Sequence, residues 1–263
     1  MNRSVSPLTI CILSALSLSL TGCFSSSSSS DNSSGDDTTV SGTAATGAPL
    51  ADADVCLQTA ASQGCAATTT TDGNGEYSFS VEDLEGLEAP FIVRVEGTDA
   101  GGDPATVHSR GNSKDDATVN ATPLTSTVLA GASNAANLNN VDIDALAGQD
   151  TDATQQALRA ILENAGALSK LGVDANVDLL ADADFNADRT GLDRFLDLVD
   201  VEVFEADANG NIGVRITDLG DRTQKLAVTR TSNGLELDGE LSGFNNALSA
   251  ANTDLSGIDD LFS

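Results

Sequence analysis

A single histidine, His108, stands in a chain of 263 residues. A zinc site built on two histidines is therefore excluded within one copy. A Ser-His-Asp hydrolase would need His108 as its base. The stretch "GASNA" around Ser133 lacks the closing glycine of a nucleophile elbow, and His108 precedes that serine, the reverse of the order such an elbow uses. His108 is read as an exposed strand residue. No G-x-x-x-x-G-K-[ST] stretch and no G-x-G-x-x-G after a strand is present to cradle phosphate. Paired carboxylates for glycoside hydrolysis survive a count of acids. However, the chain has no Trp, one Tyr and eight Phe, too few to line a pocket with aromatic rings. The reading is a protein without enzymatic activity.

The sharpest local constellation is acidic. Asp182, Asp184, Asn186, Asp188 and Asp193 in "DADFNADRTGLD" set oxygen ligands at alternate positions with an acid at the twelfth, which resembles a calcium-binding loop. Ala187 occupies the sixth position, where that turn needs glycine. Asp193 replaces the bidentate Glu, and Arg189 sits inside the loop. The alternative is a solvated acidic loop that caps a helix starting at Gly191. Calcium here is the one cofactor the sequence raises. "DGNG" at Asp72 and "DANGN" at Asp207 also look like calcium fragments, but each lies between alternating strands, where tight-turn chemistry accounts for them.

Charge narrows the partners. Twelve Lys+Arg face 40 Asp+Glu, a net charge of −28. Such a chain repels nucleic acid and anionic membrane surfaces and attracts cations. High acidity with few lysines suits a salty environment, where screening over ~3–8 Å tames self-repulsion. Sugar binding by stacking wants exposed Trp or Tyr, and Tyr77 is the only candidate. That argues against stacking as a mode of recognition.

The start of the chain speaks to location. Arg3 is followed from Pro7 to Leu20 by mostly Leu, Ile, Ala and Ser, shorter than the ~20 residues a membrane-crossing helix needs. Residues 1–22 thus read as an export signal. Leu20-Thr21-Gly22-Cys23 resembles the lipobox of bacterial lipoproteins. That resemblance implies cleavage after Gly22 and a diacylglycerol thioether on Cys23, with palmitate-type acylation. Two or more chains on one cysteine anchor stably, at about 0.8 kcal/mol per buried CH₂. Residues 23–38, rich in Ser, Asp, Asn and Gly, lack the apolar area to offset ordering entropy and read as a disordered tether. Phe24 in place of Asp favours the outer membrane, again by resemblance. Cys11 leaves with the signal. Cys56 and Cys65 remain as an even pair in an exported chain and are expected to form a disulfide. A two-thiolate metal site is the alternative and lacks nearby ligands.

Residues 39–119 read as short strands between turn residues. Val55 and Leu57 alternate with Cys56 and Gln58. Tyr77, Phe79 and Val81 alternate with Ser78 and Ser80 after the turn residues Asp72-Gly73-Asn74-Gly75. "FIVRVEG" and "ATVHSR" add two more strands. "SGTAATGAPLADADVCL" followed by "TTTTDGNGEYSFSV" is similar to the carboxypeptidase regulatory-like domain. Gly47, Pro49, Leu50, Ala53 and Val55 meet the first pattern of that family. Thr69, Asp72, Gly75 and Tyr77 meet its hairpin pattern. The match spans about a quarter of the chain and implies a transthyretin-like β-sandwich, a type of module that serves as a spacer or binding appendage.

Residues 120–263 read as α+β. Pro123 is expected to block a helix before it, with a helix beginning near Ser126. "N-x-T-P-L-T" here is similar to a segment that follows such β-domains in outer-membrane lipoproteins. Ala157, Leu158, Ile161, Leu162, Ala165 and Leu168 fall on one helical stripe over 152–171, capped by Thr151 or Asp150 and ended by Gly172. A second helix runs from Gly191 to about Val199, with Thr190 and Asp193 in a capping-box pattern. Hairpins follow around Asn209-Gly210 and Asn233-Gly234, and residues 244–262 read as the beginning of a further helix.

The expected fold is mainly β plus α+β: a transthyretin-like antiparallel sandwich, then two helices and β-hairpins. The expected role is a lipid-anchored envelope protein, structural or interactive, held to the membrane through its lipid and meeting an envelope or extracellular protein or glycan. The rivals are a calcium-dependent adhesive module and an accessory part of an envelope hydrolase.

Overall fold

Alternation decides the first part of the body. In the computed structural model, which describes residues 40–239 except 63, 116, 165, 224, 232 and 233, Val40, Tyr77 and Phe79 turn inward while Ser78 and Glu76 face out. The leader, Cys23, the serine tether and the helix expected at 244–262 lie outside the described residues. The chain divides into two units, 1–36 and 37–263, and every element below belongs to the second.

Two sheets share the first core. One holds β4 (Glu76–Phe79), β1 (Val40–Thr43) and β7 (Ala117–Thr118), in that order. The other holds β3 (Ala67–Thr70), β2 (Asp54–Thr59), β5 (Phe91–Thr98) and β6 (Pro104–Gly111). All pairings are antiparallel except β1 with β7. Val40, Leu57, Phe79, Phe91, Val93 and Val119 meet between the sheets with no exposed surface. Full burial of each large apolar side chain contributes about 1.5–3 kcal/mol. The run "FIVRV" in β5 is buried on both faces: Phe91, Val93 and Val95 enter this core while Ile92 enters another. A strand covered on both sides reads as continuous rather than alternating.

The other core neighbour of Ile92 is α1 (Pro123–Ser133), which lies between the first body and a third sheet. The helix starts at Pro123 and not near Ser126. Pro at the first helical position loses no bond, because that N–H has no partner in a helix anyway. Thr122 and Thr125 form a reciprocal capping box, at 3.2 and 2.8 Å. The expected helix over 152–171 is two: α3 (Asp152–Asn164) and α4 (Ala167–Leu171), separated by Gly166 in the left-handed region. Between α1 and α3, a 3₁₀ turn (Leu138–Asn140) and α2 (Ile143–Ala147) complete the layer. These are too short for periodicity to announce them. Then α5 (Gly191–Leu198) leads directly into β8 (Val199–Glu205).

From there the hairpins appear as the alternation requires. β8, β9 (Ile212–Asp218), β10 (Lys225–Thr231) and β11 (Gly234–Gly239) form one antiparallel sheet in sequential order. Phe204 lies opposite Gly213, where the missing side chain makes room for the ring. Arg215 then covers the ring, its guanidinium 4.3 Å from the centroid, and pairs with Glu202 at 2.7 Å. The helices and this sheet close a core that includes Leu162, Leu168, Phe195, Leu196 and Ile216. The described residues are thus mostly β with five α-helices, an α+β arrangement.

Cys56 on β2 and Cys65 are joined, with Cα atoms 5.2 Å apart. By the loop-entropy relation, replacing both by Ser will cost about 2–3 kcal/mol in urea unfolding. A second prediction rests on Gly42. A Cβ there would meet the Val119 carbonyl oxygen at 1.9 Å, so β1 and the chain after β7 approach too closely for any side chain. Gly42→Ala will lower stability by about 3 kcal/mol or more. Gly73→Ala, with no atom within 4 Å of its Cβ, will stay within about 0.5 kcal/mol of the parent.

Candidate functional site

The outer face of β1 and its neighbours is floored with hydroxyls. Because Val40, Gly42 and Ala44 turn toward the core, Ser41 and Thr43 project the other way. Register places Ser41 opposite Ser78 and Thr118, and Thr43 opposite Glu76. A groove of about 730 Å³ runs over this face, within the size range of ligand sites. One wall is the end of β3 and the turn at Asp72. The other is the segment Ala183–Asn186. An adjoining recess of about 230 Å³ continues between Glu76, Asn74, Asn186 and Asp188.

Asn120 ties the floor to the second wall. It is 2% exposed. Its Oδ1 accepts from the Thr43 N–H at 3.1 Å, and its Nδ2 donates to the Asp182 carbonyl at 2.7 Å. Its own N–H donates to the Leu180 carbonyl at 3.0 Å. Thr71 supports the β3 side: its hydroxyl accepts from Ala53 N–H at 2.8 Å and donates to the Leu50 carbonyl. The Tyr77 hydroxyl, beneath the floor, donates to the Val119 carbonyl, and burial holds it well above its usual pKa. Thr43 itself is 6% exposed, and its hydroxyl reaches the groove with no partner among the described residues.

The residues weighed for calcium lie along the second wall and behind it. Asp182 Oδ1 accepts from Asp184 N–H at 3.1 Å, and burial raises its carboxyl above the usual range. Asn186 Nδ2 donates to the Asp184 carbonyl at 3.1 Å. Asp188 Oδ1 accepts from the Thr190 N–H and hydroxyl, at 3.0 and 2.7 Å. Among the described residues no three His, Cys, Asp or Glu side chains converge as a metal site would need. The capping-box pattern at Thr190 is not realised either. Thr190 gives its hydroxyl to Asp188, and Asp193 Oδ2 accepts instead from Arg189 N–H at 2.8 Å. Arg189 adopts a positive φ of 64°, which turns its N–H toward the first turn of α5.

Asp193 is the unusual acid of the set. It is 1% exposed, and its Oδ1 has no hydrogen-bond partner. Burial pushes its pKa up to about 6, with Asp197 and Asp188 adding to the rise and Arg189 opposing it. Arg194, beside it, pairs with Asp197 at 3.3 Å.

His108, expected to be an exposed strand residue, is buried, at 5% exposed. The first turn of α1 covers it. Ser126 Oγ accepts from His108 N–H at 2.8 Å, and Thr125 Oγ1 donates to the His108 carbonyl at 2.6 Å. Burial first, then the nearby Arg94 charge, lowers the imidazole to about pKa 4, against a hydrogen bond with Asn139. It borders a second groove of about 410 Å³ with Val107, Ala130, Leu138 and Val203. Ser126 donates its hydroxyl to the Thr122 carbonyl at 2.9 Å. The hydroxyl is thus committed to the main chain and not to an imidazole nitrogen.

The reading of the residues alone did not find Thr43 or Asn120. One signal was present: Ser41 and Thr43 stand on alternate positions of the opening strand. Asn120, however, shows its role only when the distant segment 180–182 is folded against it.

The Asp193 geometry gives a signed expectation. A carboxyl with its pKa raised in the folded state penalises folding above about pH 6, and the penalty is gone below the ordinary value of 3.8. Asp193→Asn keeps the acceptor for Arg189 N–H and removes the charge. Its thermal midpoint will exceed the parent's at pH 7.5, by on the order of 1–3 kcal/mol in stability, and the gain will shrink to nothing toward pH 4. Compared with protein-family models, with curated proteins and with solved structures, the chain matches none.

Proposed function

We propose that this chain is a lipid-anchored cell-envelope protein that displays a binding surface and performs no catalysis. The observation that carries the reading is the groove over β1: open, polar, and seated on paired strands whose position Asn120 fixes. Ligand sites of this kind pair a preformed concavity with a few well-placed polar groups. The His108 imidazole, with its pKa near 4, is a poor proton acceptor at neutral pH, and the Thr125 and Ser126 hydroxyls beside that residue are committed to the main chain. The anchor rests on Leu20-Thr21-Gly22-Cys23, whose order of aliphatic, small, small and Cys resembles a lipobox. We read the two sheets around the first core as the transthyretin-like sandwich of a carboxypeptidase regulatory-like domain, a display module at the outer membrane. The strong negative charge favours cationic or neutral partners and disfavours nucleic acid.

Mass spectrometry of the mature exported chain will find its first residue to be Cys23 carrying a thioether-linked diacylglycerol. Cys23→Ser will move the protein from the membrane fraction to the soluble fraction without changing its melting temperature. An unmodified Cys23 thiol on the mature protein would overturn the anchor.

A further inference from the structure

The floor of the groove is closed to strand addition. β1 is paired on both edges, to β4 and to β7, and the Thr43 N–H beyond the β7 pairing is taken by Asn120 Oδ1, so no free edge is left for an added strand. What the floor offers is side-chain hydroxyl: Ser41, Thr43, Ser78 and Thr118 in one plane. Short hydroxyls both donate and accept, so their natural complement is a ligand rich in hydroxyls, not one recognised by apolar contact. The two rings that line the groove are withdrawn: Phe185 is 7% exposed and Tyr77 is 4% exposed. Stacking therefore has no platform here.

Charge selects within that class. No Lys, Arg or His lines the groove or its recess, whereas Asp72, Glu76 and Asp188 do. Uronic, sulfated and phosphorylated sugars would meet only like charge. An ammonium would meet Glu76, exposed on the strand beside Thr43. Asp72 already accepts from the Asn74 and Glu76 N–H groups at 2.8 and 2.9 Å. Asp188 is bound to Thr190. Among the described residues, the Glu76 carboxylate makes no hydrogen bond or ion pair, which leaves it as the acceptor. The Thr43 hydroxyl opens onto the same end of the groove without a partner among the described residues, so it is available to a ligand's hydroxyls.

We propose that the groove over β1 binds an amino-substituted oligosaccharide, its hydroxyls bonded to Thr43, Ser41 and Ser78 and its ammonium to Glu76. This rests on the reading of the groove as the displayed surface and gives that surface a ligand class. Asn186, at the junction of groove and recess, offers its Oδ1 to the same ring while its Nδ2 donates to the Asp184 carbonyl.

Calorimetry on the full mature chain in detergent, at low ionic strength, tests it with three probes: a short oligomer of β-linked glucosamine, its fully N-acetylated counterpart, and trilysine. The glucosamine oligomer will bind best. Glu76→Gln will weaken it about tenfold or more, the usual effect of losing a hydrogen bond to a charged group, and will leave binding of the N-acetylated oligomer unchanged. Thr43→Val, close in shape, will weaken both oligomers. Glu202→Gln, on β8 and outside the groove, will change neither. Melting curves confirm that each variant is folded. Absence of binding by both oligomers, equal binding by parent and Glu76→Gln, or trilysine binding as tightly as the glucosamine oligomer would each overturn the proposal. None of these outcomes depends on whether Cys23 carries lipid, so failure of the anchor and failure of the ligand class are read separately.

Discussion

The carboxylate that accepts a main-chain N–H two residues ahead is the interaction this structure uses most persistently. It occurs at Asp72, Asp99, Asp142, Asp150, Asp174 and Asp178. It occurs again at Asp182, Asp188, Asp207, Asp218 and Asp221. Each bond satisfies a donor that a turn or helix start would otherwise leave to solvent. The turns at Asp72, which passes the chain from one sheet to the other, and at the hairpin tips Asp99 and Asp207 share one construction. In each, the carboxylate also accepts from the N–H four residues on, and the glycine three residues on takes a positive φ. Much of the acidity that resembles a supply of metal ligands is thus employed in shaping loops. At Asp207 these bonds, led by the Asn211 side chain, hold the carboxyl below its ordinary range. At Asp83 the bonds from Ser80 do the same.

The loops so shaped connect three cores. The first fills the space between the opening two sheets. The second joins Ile92, α1, α2 and Ile212. The third gathers α3, α4 and α5 over the sheet of β8 to β11. Ala45 belongs to the third core although Ala44 belongs to the first. The strand exit after β1 thus carries the chain from one packed layer to the next. At Gly47 a Cβ would meet the Leu196 carbonyl oxygen at 2.8 Å, which marks how tightly this exit lies against α5.

Much of this was legible from residue order. Strands with period-two alternation, the stripe on α3, and the turn residues at Asp72 and Asp207 correspond to elements found at those places. The pairing of Cys56 with Cys65 was legible too, from parity in an exported chain. What escaped was tertiary in origin. Pro123 reads as a breaker until Thr122 caps a helix that begins on it. His108 reads as a surface residue of β6 until α1 lies across that strand. The break at Gly166 interrupts an apolar stripe that is continuous in sequence. The groove was illegible for the same reason. Its floor comes from residues 41–43, 76–78 and 118, and its far wall from 183–186, so no window of sequence contains it.

Asn120 touches both sides of that groove through one side chain. Its carboxamide is rigid and planar and bonded through both its oxygen and its nitrogen, so the separation between floor and far wall is set before anything enters. A molecule entering such a cleft forfeits its own freedom but little of the protein's. A shallow polar surface with no aromatic shelf has few other means of holding a guest, and here that entropic saving was secured when the chain folded.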